Sequence, residues 1–328
     1  MDVKDSVDNN QDVVNIIDDK LVVNIDDELN EDQVKYNEGN IHLPFGNTLT
    51  LKETFNITAA AKTKTIVLIG PPSCGKTTIE TTLYQMFQIS EFGDNYFAGS
   101  KTILGFEERA YYTRIKSKQS KPETPRTTRG TEEFLHLKIW NNKTSNYYNF
   151  LFADLSGEDI INCIGNVEAM KNDFKLLKNV DYIVAVIDGE SIRDKGKRHK
   201  VFEETAQLLQ TIFDAELINE FTNVQLVFSK YDKIQEYISE DNMLLDKIKS
   251  KKTGLIERLK NYYSEIELFD IAAMPTNENC EVGYGLLKLM ESWTYVNEDS
   301  IKRSNKYKGE INNEFNKLYD KLLGGNDE

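Results

Sequence analysis

From Lys64 to Met274 the chain alternates short apolar runs with longer stretches of helical period. The runs are TIVLIG (65–70), EFLHLKIW (133–140), NYYNFLFADL (146–155), DYIVAVID (181–188), NVQLVFSK (223–230) and LFDIAAM (268–274). Their lengths are those of strands, and runs of Val, Ile, Leu and Phe with little polar alternation belong to strands covered on both faces. Stretches such as Glu158 to Asn179 and Lys200 to Asp214 repeat their apolar positions at helical spacing. Alternating strand and helix of this kind predicts an α/β fold, a mostly parallel sheet with helices on both faces. One junction breaks the alternation. EFLHLKIW and NYYNFLFADL are separated only by NNKTS, which is too short for a crossover helix. That junction predicts an antiparallel hairpin and one reversed strand.

The flanks have different patterns. Residues 41–63 read as an ordered lead-in, with one strand where Leu49 and Leu51 alternate with threonines. Residues 1–40 are rich in Asp and Asn and hold a near-duplication, VVNIIDDK from Val13 and VVNIDD from Val22. Their composition is that of a disordered acidic tail with weak β tendency; a hairpin docked on a partner or on the sheet edge is the other reading. The main domain is expected over residues 64–295, with insertions near 93–130 and 233–263, and a Lys- and Glu-rich helical tail over 296–328. Within the first insertion, FAGSKTILGFEERAYYTRIKSKQSK reads as a helix capped by Ser100 with an aromatic and basic far end, and Ile103, Phe106 and Ala110 share one buried face. RDKGKRHK, from Arg193, reads as a basic loop, either a solvated face or a docking patch for an acidic partner.

Charge narrows the range of functions. The net charge is −14, and the first forty residues, with twelve acids against three lysines, carry −9 of it. An acidic chain lacks the positive field that general nucleic-acid or anionic-membrane binding needs. Cys74, Cys163 and Cys280 are spaced for neither a disulfide framework nor paired metal ligands, and His42, His136 and His199 are too scattered for a metal site. No leader pattern opens the sequence, and its apolar runs are too short for a membrane span, so a cytoplasmic protein is expected.

The candidate chemistry lies at the ends of the predicted strands. Gly70-Pro71-Pro72-Ser73-Cys74-Gly75-Lys76-Thr77 fits G-x-x-x-x-G-K-[ST] between a strand and a helix. Glycines there let backbone N–H groups turn inward around phosphates, and the helix N-terminus adds positive dipole. Lys76 would reach the β- and γ-phosphates, Thr77 would offer its hydroxyl to Mg²⁺, and Ser73, Cys74 and Thr78 line the same turn. Asp154, at the tip of FLFAD, is placed for a metal ligand, and Gly157 lets a backbone N–H approach a γ-phosphate. A strand-to-helix turn capped by Ser156 or Asp154 is the plainer alternative. Ser229-Lys230-Tyr231-Asp232 follows another apolar run, and a carboxylate at Asp232 can accept two hydrogen bonds from the N1–H and N2–H₂ edge of guanine. Ala273, in IAAMPT, would add backbone amides to the same base.

Phosphate loop, antiparallel hairpin, D-x-x-G and [NTS]-K-x-D in this order resemble the TRAFAC class of GTPases, with a Ras-like P-loop NTPase domain, over roughly Lys64 to Trp293. YFAGSKTILGFEERAYYTR, PETPRTTRGTEEFLHL and ADLSGE are similar to the double-GTPase family, whose members are associated with bacterial conflict and phage-defence gene clusters. The resemblance implies a GTP-dependent switch that works with a companion GTPase, adaptor or effector of the same system. Ser229 stands where Asn is usual, and Glu158 where many members keep Gln. Glu158 is the candidate for orienting the attacking water. PRTTRGTEEF sits where the class places its first switch, making Thr128 or Thr131 candidate metal ligands and Arg126 or Arg129 candidate arginine fingers. A GTP-bound scaffold with negligible hydrolysis, or an ATPase in which Asp232 is only a loop acid, stays open at this level.

Overall fold

A computed structural model describes residues 46–111, 133–278 and 280–294. Eight strands, β1 (Leu49–Thr50), β2 (Thr63–Ile69), β3 (Asn95–Gly99), β4 (Glu133–Asn141), β5 (Asn146–Asp154), β6 (Tyr182–Asp188), β7 (Asn223–Ser229) and β8 (Ile266–Asp270), form one sheet. Its order is β1-β4-β5-β2-β6-β7-β8, with β3 also paired to β4. β5, β2, β6, β7 and β8 are parallel neighbours, while β1, β3 and β5 all meet β4 antiparallel. β4 is therefore the one reversed strand, as the short NNKTS connection demands.

Nine α-helices pack on the described sheet: α1 (Leu51–Thr58), α2 (Lys76–Ile89), α3 (Ile103–Tyr111), α4 (Gly157–Asn162), α5 (Val167–Asp173), α6 (Lys195–Asp214), α7 (Tyr231–Glu240), α8 (Asn242–Leu259) and α9 (Leu286–Thr294). Successive side chains of a strand point to opposite faces, so each apolar run feeds two cores. Val67, Ile69, Ile183, Ala185 and Ile187 join α1 and α4–α8 on one face. Ile66, Leu68, Tyr182, Val184 and Val186 join α2, α3 and α9 on the other. This second core closes around Trp293, 1% exposed, whose ring meets Phe150, Phe152 and Tyr182 and whose Nε1–H donates to Gln225 Oε1 at 2.9 Å. No helix among the described residues is long and apolar enough to cross a membrane.

Several local expectations change. Leu51 does not continue a strand but opens α1, because Thr50 and Glu53 form a reciprocal capping box. NYFAG, ahead of the expected cap, is the strand β3 on the edge of β4, and the helix starts at Ile103, two residues later than a Ser100 cap would place it. Ser100 accepts from the Thr102 N–H at 2.9 Å, and Phe106 and Ala110 are buried, but Ile103 is exposed. Glu158–Asn179 breaks into α4, α5 and a 3-10 turn, since Gly165 at φ +79° and the Asn166 cap interrupt the first helix. RDKGKRHK is no loop either: Asp194 caps α6, which starts at Lys195. Residues 233–263 lie on α7, α8 and the turn after it, and carry the chain from β7 across to β8. The acidic stretch 1–40, the far end of the first insertion and the 296–328 tail lie outside the described residues.

Candidate functional site

The parallel strands β2, β5, β6 and β7 present their C-terminal ends on one side, the side where α/β sheets place ligands. The turn from β2 into α2 is shaped by three residues at positive φ: Gly70 at +146°, Ser73 at +62° and Gly75 at +99°. A Cβ on Gly70 would sit 2.6 Å from the Val186 carbonyl oxygen, so the loop lies directly against β6. Gly75 opens α2 with no side-chain cap, which leaves the first-turn N–H groups and the positive helix end to an anion. Lys76 Nζ donates to the Gly70 and Pro71 carbonyls at 2.9 and 3.1 Å, folded over its own loop. Thr77 and Thr78 are half-buried in the first turn. Cys74 is fully buried, and burial pushes its thiol pKa up, the opposite of a reactive thiolate; its own N–H turns to the Pro71 carbonyl at 3.5 Å.

The turn after β5 meets this loop edge-on. A Cβ on Gly157 would lie 2.5 Å from Lys76 Nζ and 2.7 Å from the Gly70 carbonyl oxygen, a space only glycine leaves open. Glu158 stands in the first turn of α4, and Ser156 caps that helix by accepting from the Asp159 N–H at 3.3 Å. Asp154 is 7% exposed at the tip of β5. Its carboxylate takes the Arg109 guanidinium at 3.0 and 3.3 Å, and Arg109 also reaches Glu133, the cross-strand neighbour of Asp154, at 3.4 Å. Burial works against the Arg109 charge, but Asp154, Glu80 and Glu133 outweigh it and hold the guanidinium protonated. Glu80, one turn along α2 from Lys76, is 3% exposed, and its Oε2 has no hydrogen-bond partner among the described residues. Burial and the nearby Asp154 push its pKa up to about 8, against the pull of Arg109 and Lys76.

At the far end, Asp232 is 3% exposed, and its Oδ2 accepts from the Thr276 N–H at 3.0 Å and the Thr276 hydroxyl at 3.3 Å. That bond ties the base motif to the segment after β8 that holds the buried Ala273. Lys230, at φ +50°, bridges Asp188 at 3.0 Å and Glu190 at 2.9 Å. Burial opposes its charge, yet the two acids raise its pKa. Ser229 turns its hydroxyl to the Ile187 carbonyl at 3.1 Å, and its Cβ lies 3.8 Å from where a Cβ on Gly75 would be. The phosphate loop and the base motif are thus in contact, though 154 positions separate them in sequence.

A family model described as Double-GTPase 2 matches residues 64–294. The chain belongs to that family. No curated protein matches it. Among solved structures, this double-GTPase is similar to a bacterial selenocysteine-specific elongation factor, at 14% identity and a TM-score of 0.35, with 71% of this chain and 28% of that one covered. It is also similar to the signal recognition particle receptor SRb-GTP/SRX complex from Chaetomium thermophilum, at 14% identity and a TM-score of 0.38, over 70% of this chain and 95% of that one. The chain thus spans little more than a quarter of the elongation factor.

The fold gathers Gly70, Ser73, Cys74, Gly75, Lys76, Thr77, Thr78, Asp154, Gly157 and Glu158 around one loop, with Ser229, Lys230, Asp232 and Ala273 beside it. Arg126, Thr128, Arg129 and Thr131 lie outside the described residues. Four charged partners escaped the sequence reading: Arg109, Glu80, Asp188 and Glu190. Glu80 alone had a local signal, a carboxylate four positions after Lys76 and therefore on the same helix face.

Proposed function

We propose that this double-GTPase binds GTP with Mg²⁺, hydrolyses it to GDP and phosphate, and uses the two nucleotide states to gate contact with a companion protein, in a bacterial defence system as the family resemblance implies. The observation that carries the reading is the close approach at Gly157: a Cβ there would collide with both Lys76 Nζ and the phosphate-loop backbone, so the D-x-x-G turn packs directly on the loop that would hold the phosphates. Thr77 and Asp154 are the residues that would hold Mg²⁺, and their oxygen donors suit that hard cation. When bound, Mg²⁺ supplies neutralisation of the charge that grows on the β–γ bridging oxygen. The chain's own residues do the rest. Lys76 leaves the Gly70 and Pro71 carbonyls for phosphate oxygens, the bare N-terminus of α2 receives the phosphates, and Asp232 accepts from the guanine edge.

Glu158 orients the water as an acceptor, but its negative charge opposes the phosphate oxygens, so slow turnover awaiting a partner follows. Arg126 and Thr131 are the first-switch residues proposed to complete the site. The Arg109 pair with Asp154 supports a second reading, a GTP-bound scaffold with negligible hydrolysis, because the same carboxylate would have to serve both partners. Calorimetric titration of the full chain with GTP, GDP and ATP in Mg²⁺, with phosphate release followed on the same samples, separates these readings. Guanine-selective binding with turnover is the expected result. Guanine binding without phosphate release favours the scaffold, and a preference for ATP removes the role of Asp232.

A further inference from the structure

A second charged cleft, lined by none of the nucleotide-motif residues, lies between the start of α6 and the middle of α8. Its volume is about 820 Å³, within the range of small-molecule sites, and it is lined by Lys195, Gly196, Arg198, His199, Asp246, Lys247, Ser250 and Lys251. Four cations and a histidine thus face one carboxylate. The cations on α6 also stand at the wrong end of their helix, because the first turn carries positive partial charge that repels them. Asp194 does not relieve this by pairing: its Oδ1 accepts from the Lys197 N–H at 2.8 Å as the helix cap.

Arg198 decides the reading. Its side chain is buried, with 8% exposure, yet the guanidinium meets no carboxylate among the described residues. Nη1 donates to the Ile192 carbonyl at 3.2 Å, and the rest of the guanidinium opens onto the cleft. A cation whose stem is buried and whose head faces a cleft without a counter-charge favours an incoming anion. The other cations do not relieve one another. Lys251 Nζ lies 3.4 Å from His199 Nδ1, and among the described residues the ion pair of Lys247 is with Asp241, at 3.7 Å, a distant and exposed partner. Arg198 offers a planar fork, and the lysines offer mobile point charges around it. Together they match the tetrahedral oxygens of phosphate groups.

We propose that the cleft between α6 and α8 is a binding site for a small, multiply charged phosphate-bearing anion, distinct from the nucleotide at the phosphate loop. Inorganic pyrophosphate is the probe. It is titrated calorimetrically into the full chain with and without saturating GDP and excess Mg²⁺. One pyrophosphate site should persist under GDP, and it should weaken at least tenfold in Arg198→Gln and in the double variant Lys247→Gln/Lys251→Gln. The double variant changes exposed residues only and keeps the test valid if the buried Arg198→Gln fails to fold. Three results overturn the proposal: heat that disappears once GDP saturates, which places pyrophosphate in the phosphate loop; binding of unchanged strength in the double variant; or no pyrophosphate binding at all. An octaglutamate peptide that binds where pyrophosphate does not would assign the cleft to an acidic polypeptide instead. If GDP itself fails to bind, pyrophosphate binding that is lost in the double variant still supports the cleft, so the two readings fail separately.

Discussion

The two ends of the nucleotide groove are built on different principles. The base end is neutralised before any ligand arrives: Asp232 rests on two Thr276 donors, and Lys230 lies between Asp188 and Glu190. The phosphate end is held in tension. Lys76 donates to carbonyls instead of anions, Arg109 balances Asp154 and Glu133, and Glu80 stays protonated at neutral pH because burial and the neighbouring Asp154 carboxylate raise its pKa. A satisfied network gives selectivity at small cost, while unsatisfied charge gives ligand binding something to relieve.

The largest effect should come from filling the space at the tense end. Gly157→Ala places a methyl against Lys76 Nζ and the Gly70 carbonyl, and should weaken GTP binding by ~1000-fold, about 4 kcal/mol, with the circular-dichroism spectrum unchanged. Arg109→Ala leaves Asp154 without its buried partner and should lower unfolding free energy by about 3 kcal/mol in urea melts, the range for a broken buried pair.

Glu80→Gln acts in the opposite direction and depends on pH. Folded Glu80 keeps its proton to about pH 8, while an unfolded glutamate releases it near 4.5, so wild-type stability falls as pH rises between those values and levels off above. The glutamine variant lacks that slope. Its advantage in the nucleotide-free protein should be absent near pH 4 and reach on the order of 5 kcal/mol above pH 8, read from denaturant midpoints across pH.

Effects at the base end should be smaller and confined to ligand choice. Asp232→Asn should weaken GTP by roughly 2 kcal/mol, through one or two charge-assisted bonds, and shift preference toward xanthosine nucleotides. Equal GTP affinity in this variant would remove the contrast between the two ends. Thr276→Val deletes one long bond to Asp232 and should change GTP affinity by less than tenfold, about 1 kcal/mol, in the same titration.

The parts of this design that were legible in the sequence are those written locally. Strands buried on both faces read as continuous apolar runs, NNKTS forced the hairpin, and the phosphate loop carries its glycines within eight residues. Features that depend on distant partners were not legible. β3 holds only five residues, and its strand character comes from Trp140 and Ile139 across the ladder. Arg109 gains its meaning from Asp154, forty-five positions away. The α1 start had a local signal, Thr50 with Glu53 three residues on, which the alternation of Leu with Thr concealed. The acid neighbours of Lys230 were likewise hidden, since Asp188 ends a different strand.

The reversed strand β4 has one more consequence. Its outer side is shared by β1, two residues long, and β3, whose register shifts between Phe97 and Gly99. The stretch between them is closed by side chains: Thr102 Oγ1 accepts from the His136 N–H at 2.8 Å, and Ser100 Oγ donates to the His136 carbonyl. Among the described residues, a neighbouring molecule that met this rim would find no long, flat row of free amides and carbonyls to copy. Short strands, a register shift and borrowed hydroxyls blunt the edge, and so protect a sheet rich in aliphatic strands from growing edge to edge into aggregates.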